Sequence, residues 1–157
     1  VRRVPIESFY IKAGVVDLRP GELQTGILIP REAYEGYQGH YIKYAMRNAM
    51  DIATIGCSVN VRLSPDKTVM EDVRIAYGVT GPVPMRARTA EAAARGKAVG
   101  QAEIRAAAQA VLEDINPRDS WRASKEFRQH IASTLAERAL RESILLAGGV
   151  IHDQSAV

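Results

Sequence analysis

The chain is poor in the groups that most enzymes use for chemistry of their own. It has one cysteine, Cys57, in 157 residues. An internal disulfide is excluded, and a single thiol suits a reducing cytoplasm. An iron–sulfur cluster, which needs four thiolates, is excluded as well. The three histidines, His40, His130 and His152, lie far apart and form no pair at metal-ligand spacing. Aromatic residues make up only 6%, so the core must be built mainly from Ala, Val, Ile and Leu. No apolar run approaches the ~18 residues of a membrane span. No long block of one charge sign occurs, and the net charge is only +3. A nucleic-acid or membrane footprint is therefore not expected. There is no Gly-x-Ser-x-Gly, and no Gly-rich loop opens a helix.

What is present is patterned. Ile55, Cys57, Val59, Val61 and Leu63 alternate with Thr54, Gly56, Ser58, Asn60 and Arg62. That period of two puts an apolar set on one face of a strand over 52–63, and a small or polar set on the other. Val73, Ile75, Tyr77 and Val79 repeat the pattern after the turn Ser64-Pro65-Asp66-Lys67. An antiparallel pair follows, and a strand over 40–46 extends it to three. Upstream, Arg19-Pro20-Gly21-Glu22 is a Pro-Gly turn, and Leu23 to Ile29 reads as a short strand stopped by Pro30. Residues 31–39 read as a loop.

After Gly81-Pro82-Val83-Pro84 the pattern becomes helical. Thr89 to Arg95 is an Ala-rich helix, with Thr89 a candidate N-cap and Gly96 a candidate stop. Residues 101–115 place Ile104, Ala108, Val111, Leu112 and Ile115 on one face, and Asn116-Pro117 ends that helix. Ser124 caps a last long helix striped by Phe127, Ile131, Leu135 and Ala139, with Leu140, Ile144 and Ala147 on an adjoining face. The predicted class is α+β: a three-stranded antiparallel sheet with about three helices packed on one face, after a short strand and turn lead-in. The expected division is 1–37 as lead-in, 38–149 as the domain and 150–157 as a flexible tail. A start at Val1 rather than Met reads as a processed or excised fragment.

Four stretches, in order, resemble one family. They are Pro5 to Tyr10 with Asp17 to Leu23 and Ile27 to Pro30; Lys43-Tyr44-Ala45-Met46-Arg47-Asn48-Ala49-Met50-Asp51-Ile52-Ala53; Ala76 to Val79 with Pro82 to Ala87; and Pro117 to Arg128. Together they are similar to the C-terminal domain of the FAD-binding subunit of xanthine dehydrogenase and related molybdenum hydroxylases, with its lead-in. The resemblance implies an oxidoreductase assembly. In it, electrons pass from a molybdopterin centre through two [2Fe–2S] clusters to FAD, which reduces NAD or another acceptor. Implied partners are the N-terminal FAD-binding part of the same subunit, a molybdopterin-binding subunit and an iron–sulfur subunit. An exposed domain face also favours a homo-oligomer in isolation. The family's pyrophosphate-binding loops lie upstream of this domain, so most of the FAD would be held outside these residues.

By the same resemblance, Lys43 reaches the flavin side, where a cation would stabilise negative charge on the ring or its phosphates. Arg47 matches a position in the loop gating the flavin, Ile52 offers an apolar contact to the ring, and Gln24 matches a position, often Leu, against the ring. Arg47 and Asp51, four apart, could pair and fix that loop. Met50 departs from members that carry an acid there. Read from spacing alone, Lys43 is a solvated strand lysine, Arg47–Asp51 a surface ion pair worth roughly 0–1 kcal/mol, and Ile52 a core residue. Arg86, Asp119, Ser120, Ser124 and Arg128 read as caps and a buried Arg–Asp pair locking helix to sheet. Cys57, in the apolar phase of a strand, reads as a buried, inert thiol. A second hypothesis stays open: a stand-alone α+β interaction module that shares only architecture with the oxidoreductases.

Overall fold

The fold was derived from a computed structural model, which describes residues 1–152. It begins with a lead-in held by its own charges. Helix α1 (Ile6–Phe9) runs into a hairpin of β1 (Tyr10–Lys12) and β2 (Val15–Val16). The Arg2 guanidinium then clamps Asp17 at 2.8 Å and Glu22 at 2.5 Å. The Glu22 carboxyl is pulled down to about 2 by Arg2 and then by the Arg19 amide. The Pro-Gly turn is present: Glu22 N–H donates to the Arg19 carbonyl at 3.0 Å, with Gly21 at φ +84°. Residues 23–29, expected as a strand, are not one. They run without a ladder partner, with Leu23 87% exposed and Ile27, Leu28 and Ile29 exposed beside it. The loop expected after Pro30 opens with one 3-10 turn, Arg31–Ala33.

The main sheet has four antiparallel strands in the order of the chain, not three. They are β3 (Gln38–Tyr44), β4 (Ile55–Leu63), β5 (Met70–Gly78) and β6 (Met85–Arg86). Strand β6 is two residues long and pairs Arg86 with Ala76 and Met85 with Tyr77. The α+β class itself holds.

Alternation sets the two faces of this sheet. Cys57, Val59 and Val61 face Tyr77, Ile75 and Val73 across the β4–β5 register, and these and Ile55 are all buried. Three helices cover that face in two tiers: α2 (Arg88–Ala94) against β5, α4 (Lys125–Leu146) across β3 and β4, and α3 (Gln101–Asp114) against α2 and α4. The Tyr77 hydroxyl ties α4 to the sheet by donating to the Ala132 carbonyl at 2.7 Å, and Ser143 Oγ, 2.7 Å from the Ala139 carbonyl of its own helix, lies 3.0 Å from the Val59 carbonyl. Cys57 is buried there, and burial pushes its thiol up to about 12.

Ser124 caps α4 as expected, accepting from Phe127 N–H at 3.2 Å. Thr89 does not cap α2. That helix starts at Arg88, and the cap comes from the end of α3, where the Asp114 carboxylate accepts from Thr89 N–H at 3.0 Å and Ala90 N–H at 3.2 Å. Gly96 stops α2 at φ +75°. Of the two helical stripes, Leu112 and Phe127 emerge to solvent. Of the tail expected to be flexible, His152 accepts from Gln101 N–H at 3.2 Å, and residues 153–157 lie outside the described residues.

The Glu91 carboxylate sits at the junction of sheet and helix. It is buried, accepts from Ile75 N–H at 2.9 Å and pairs with Arg86. It therefore supplies the acceptor that the short strand β6 does not provide to β5. Glu91→Ala should cost about 1–3 kcal/mol, because it orphans a buried backbone donor. Glu91→Gln, which keeps a carbonyl for Ile75, should cost less; urea denaturation of both variants checks the difference.

The lead-in is anchored on the other face through Tyr37. Its ring lies between the Arg74 guanidinium, 4.0 Å from the ring centre, and that of Arg62 at 5.1 Å. Its hydroxyl donates to Asp72 at 2.5 Å. Asp72 also accepts from Arg95 at 2.7 Å and Arg74 at 3.2 Å. Partial burial pushes the Asp72 carboxyl up, but Tyr37, Arg95 and Arg74 outweigh it and hold it below its ordinary range. A depressed folded-state value stabilises above the unfolded value and is lost as pH falls through the folded one. Asp72→Asn should therefore flatten the loss of stability below about pH 4, measured as denaturation midpoints against pH.

Candidate functional site at one end of the open sheet face

The face of the sheet away from the helices carries the small phase of the alternation. Gly56 pairs with Gly78 and Ser58 with Ala76, which leaves a flat floor. Above it lies a groove of about 320 Å³, bounded by Tyr41, Ala53, Val79 and Pro84. Tyr41 leans over the floor so closely that a Cβ on Gly56 would meet its hydroxyl at 2.7 Å. Val79 holds φ +71°, a conformation that a β-branched residue adopts only under strain. A second groove of about 490 Å³ shares Ala76 and Pro84 and is walled by Ile6, Glu7 and Tyr10 of the lead-in.

The loop from Ala45 to Thr54 joins β3 to β4 at the rim of the floor. Lys43 is opposite Gly56 in the register, on the open face. Its Nζ donates to the Asp51 carbonyl at 2.6 Å. Arg47 N–H donates to Asp51 Oδ2 at 2.9 Å, and the Arg47 guanidinium donates to the Met50 carbonyl at 3.1 Å. The side chains of Arg47 and Asp51 approach to 3.8 Å, with Arg47 71% exposed. The loop is thus fixed by Asp51 from within, while Arg47 keeps its charge in solvent. Met50 takes φ +49° and Ile52 is 63% exposed, so Ile52 does not pack in the sheet core. The structure brings Lys43, Arg47 and Asp51 together. Among the described residues no side-chain hydrogen bond is made by Gln24, which is exposed in the segment before Pro30.

The buried Arg–Asp pair expected at the entrance to the last helix does not form. Arg128 is buried, yet it donates to the Arg118 carbonyl and to Ser120 Oγ at 2.8 Å rather than to Asp119. Asp119 instead accepts from Lys125 N–H at 2.7 Å. The groove floor is the feature that sequence reasoning missed as a site. The alternation marked Gly56, Ser58 and Ala76 as an outward set, but the outward phase of a strand is normally just solvated.

Chemically the arrangement is a platform. Among the described residues no three metal-ligating side chains gather. A flat, mostly apolar floor with a lysine beside it suits a planar ring that carries negative charge.

Comparison with known proteins places the chain in a family. Residues 40–143 match the CO dehydrogenase flavoprotein C-terminal domain, and the chain belongs to that family. It is 40% identical over 152 residues to the xanthine dehydrogenase FAD-binding subunit of Escherichia coli O157:H7, covering 97% of this chain and 51% of that protein. It is 29% identical to the glyceraldehyde dehydrogenase medium chain of Sulfolobus acidocaldarius, over 90% of this chain and 48% of that one. Among solved structures, carbon monoxide dehydrogenase from Hydrogenophaga pseudoflava, in a form lacking the Mo-pyranopterin moiety, superposes with a TM-score of 0.77. That match has 27% identity and covers 93% of this chain and 49% of that one. The chain spans about half the length of the relatives it matches. No helix among the described residues is long and apolar enough to cross a membrane.

The groove can be separated from folding. A Cβ placed at Gly56, as in Gly56→Ala, meets the exposed Tyr41 side chain, whose far end can swing away. The stability of this variant should stay within about 1 kcal/mol of the parent, by thermal denaturation, while the groove loses its flat floor.

Proposed function

We propose that this chain is the C-terminal domain, with its lead-in, of the FAD-binding subunit of a xanthine dehydrogenase-like molybdenum hydroxylase. It helps to cover the flavin that passes electrons from [2Fe–2S] clusters to NAD or another acceptor. The observation that carries the reading is the Lys43–Asp51 loop at the rim of a flat floor, in a chain 40% identical to an FAD-binding subunit. FAD supplies the redox chemistry when bound. The floor over Gly56, Ser58, Ala76 and Gly78 is flat enough for an isoalloxazine edge, and the residues fit that group.

Lys43 spends one of its three donors on Asp51 and would keep the others for the flavin, where its charge would stabilise added negative charge. Asp51 positions Lys43 and the Arg47 backbone. Arg47 would steer anionic ligands to this end, Ile52, exposed on the same loop, would offer the ring an apolar contact, and Gln24 would reach the ring only if the segment before Pro30 is brought to it in the whole subunit. The pyrophosphate needs a cradle of backbone N–H groups, which the N-terminal part of the subunit would supply. The molybdopterin and [2Fe–2S] centres belong to partner subunits, and the cytoplasm is the compartment for such an assembly. The exposed run from Leu23 to Ile29 favours the subunit reading over a stand-alone interaction module, since it carries strand-forming side chains with no strand beside them.

The test is an FAD titration of this chain alone and together with the N-terminal part, followed by flavin fluorescence and absorbance. Tight binding is expected only in the mixture. Within the full-length subunit, Lys43→Met should weaken FAD binding about tenfold, or ~1.4 kcal/mol, and lower the flavin potential. Absence of FAD binding in the mixture, with both parts folded and in contact, sinks the flavin role.

A further inference from the structure

One half of the helix-free sheet face is tied to the chain's own lead-in. In the β3–β4–β5 register Lys43, Gly56 and Gly78 form one cross-strand row, and Tyr41, Ser58 and Ala76 form the next. These two rows floor and flank the groove. The rows beyond carry Arg74 opposite Asn60 and Asp72 opposite Arg62, and there the lead-in is fastened.

Arg74 makes the fastening, and its three nitrogens serve three separate stretches of chain. Nη1 donates to the Ala33 carbonyl, in the 3-10 turn, at 2.9 Å. Nη2 donates to the Tyr37 hydroxyl at 2.6 Å, and Nε donates to Asp72 at 3.2 Å. The same guanidinium lies 4.0 Å from the centre of the Tyr37 ring, which adds a cation–π contact. A planar fork of donors stacked on a ring fixes orientation as well as distance. Burial and then the Asp72 carboxylate push the Tyr37 hydroxyl up, against the opposing pull of Arg74 and Arg62. The hydroxyl therefore stays protonated and keeps both of its roles, as donor to Asp72 and as acceptor from Arg74.

The lead-in is held far more loosely elsewhere. Among the described residues, side-chain hydrogen bonds join residues 1–37 to the rest of the chain at two places. One is this cluster, and the other is Arg88 to Glu7 at 3.0 Å. That second pair is 60% and 74% exposed, so it holds weakly. Ile6 and Tyr10 add a wall to the second groove, above Ala76. Ala76 follows Arg74 in the same phase of β5, about 7 Å further on, and lines both grooves. The fastening thus lies one step along a core strand from the candidate site.

We propose that Arg74 and Tyr37 are positioning residues for the flavin: their stack is the joint that sets the angle at which the lead-in meets the groove over Gly56 and Ala76. The inference rests on the flavin reading and deepens it. Under that reading the part that holds the FAD pyrophosphate precedes the lead-in, so the joint fixes one wall of the flavin cleft against the other. Neither side chain has to touch the ring. Both act by keeping the cleft at its binding spacing before FAD arrives, which removes an ordering cost from binding.

The experiment uses the full-length FAD-binding subunit as parent, with Tyr37→Phe and Arg74→Leu. The control is Arg95→Ala, which removes a donor to Asp72 at 2.7 Å but no bond to the lead-in. Thermal midpoint, FAD affinity and the midpoint potential of the bound flavin at saturating FAD are measured for each. FAD affinity is expected to be about tenfold weaker in Tyr37→Phe and weaker still in Arg74→Leu, with the flavin potential displaced in both. Arg95→Ala should lower the thermal midpoint and leave affinity and potential as in the parent. Tyr37→Phe keeps a ring between the two guanidiniums, so it decides the matter if Arg74→Leu does not fold. An affinity within about threefold of the parent, or an unchanged potential, in Tyr37→Phe overturns the joint and leaves the flavin reading intact. The same losses in Arg95→Ala overturn it as well, because the cluster then acts through stability alone. A parent subunit that holds no FAD sinks the flavin reading, and this inference with it.

Discussion

Burial of one sheet face, and only one, governs this domain. The apolar phase of β4 and β5 is sealed by α4 and α2, and the seal is directional as well as hydrophobic. Tyr77 reaches through it to the Ala132 carbonyl, and Ser143 sits against the Val59 carbonyl. A one-residue slip in either strand would move the whole apolar set to the wrong side, and Tyr77 would lose its acceptor. The register of the open face is therefore inherited from the core. Gly56, Ser58, Ala76 and Gly78 lie level with one another because Cys57, Val59, Ile75 and Tyr77 are locked behind them.

That inheritance explains how a domain with little reactive chemistry can take part in a redox enzyme. Its contribution is geometric and electrostatic: a level surface, and a lysine fixed by the Asp51 carbonyl. Several unfavourable features lie at the end that bears this lysine. Val79 sits in a strained conformation, two threonine hydroxyls are buried without partners, and Arg128 is buried without a carboxylate. The opposite end is tied by Ser64, Asp66 and Thr68 in the β4–β5 turn, where Lys67 also holds φ +64°.

Much of this was readable from periodicity. The alternation over Ile55–Leu63 and the Ser124 cap needed only local rules, and the structure reproduces both. What escaped depended on distant partners. Two residues of β6 carry no period, and they pair only because Pro82-Val83-Pro84 turns the chain back along β5. Thr89 looked like a cap by type, but Asp114, 25 residues away, takes the job. Residues 23–29 have the composition of a strand, yet composition reports propensity, not the neighbour that a ladder needs. At the site, the Arg47–Asp51 spacing pointed to a contact that exists. The bond from Lys43 to a backbone carbonyl could not be read from residue types. The groove floor stayed hidden because small outward residues are silent in a hydropathy pattern.

Trp121, in the segment that leads into α4, is 86% exposed. It is the sole tryptophan of the chain, and it is already in water when the domain is folded. Its fluorescence should emit at the long-wavelength limit in both native and unfolded protein, and a quencher should reach it equally in each. The usual optical signal of unfolding is therefore nearly blank in this domain. Its folding must be followed through the backbone circular dichroism or the buried Tyr77, and the indole is left as a reporter of what touches the surface.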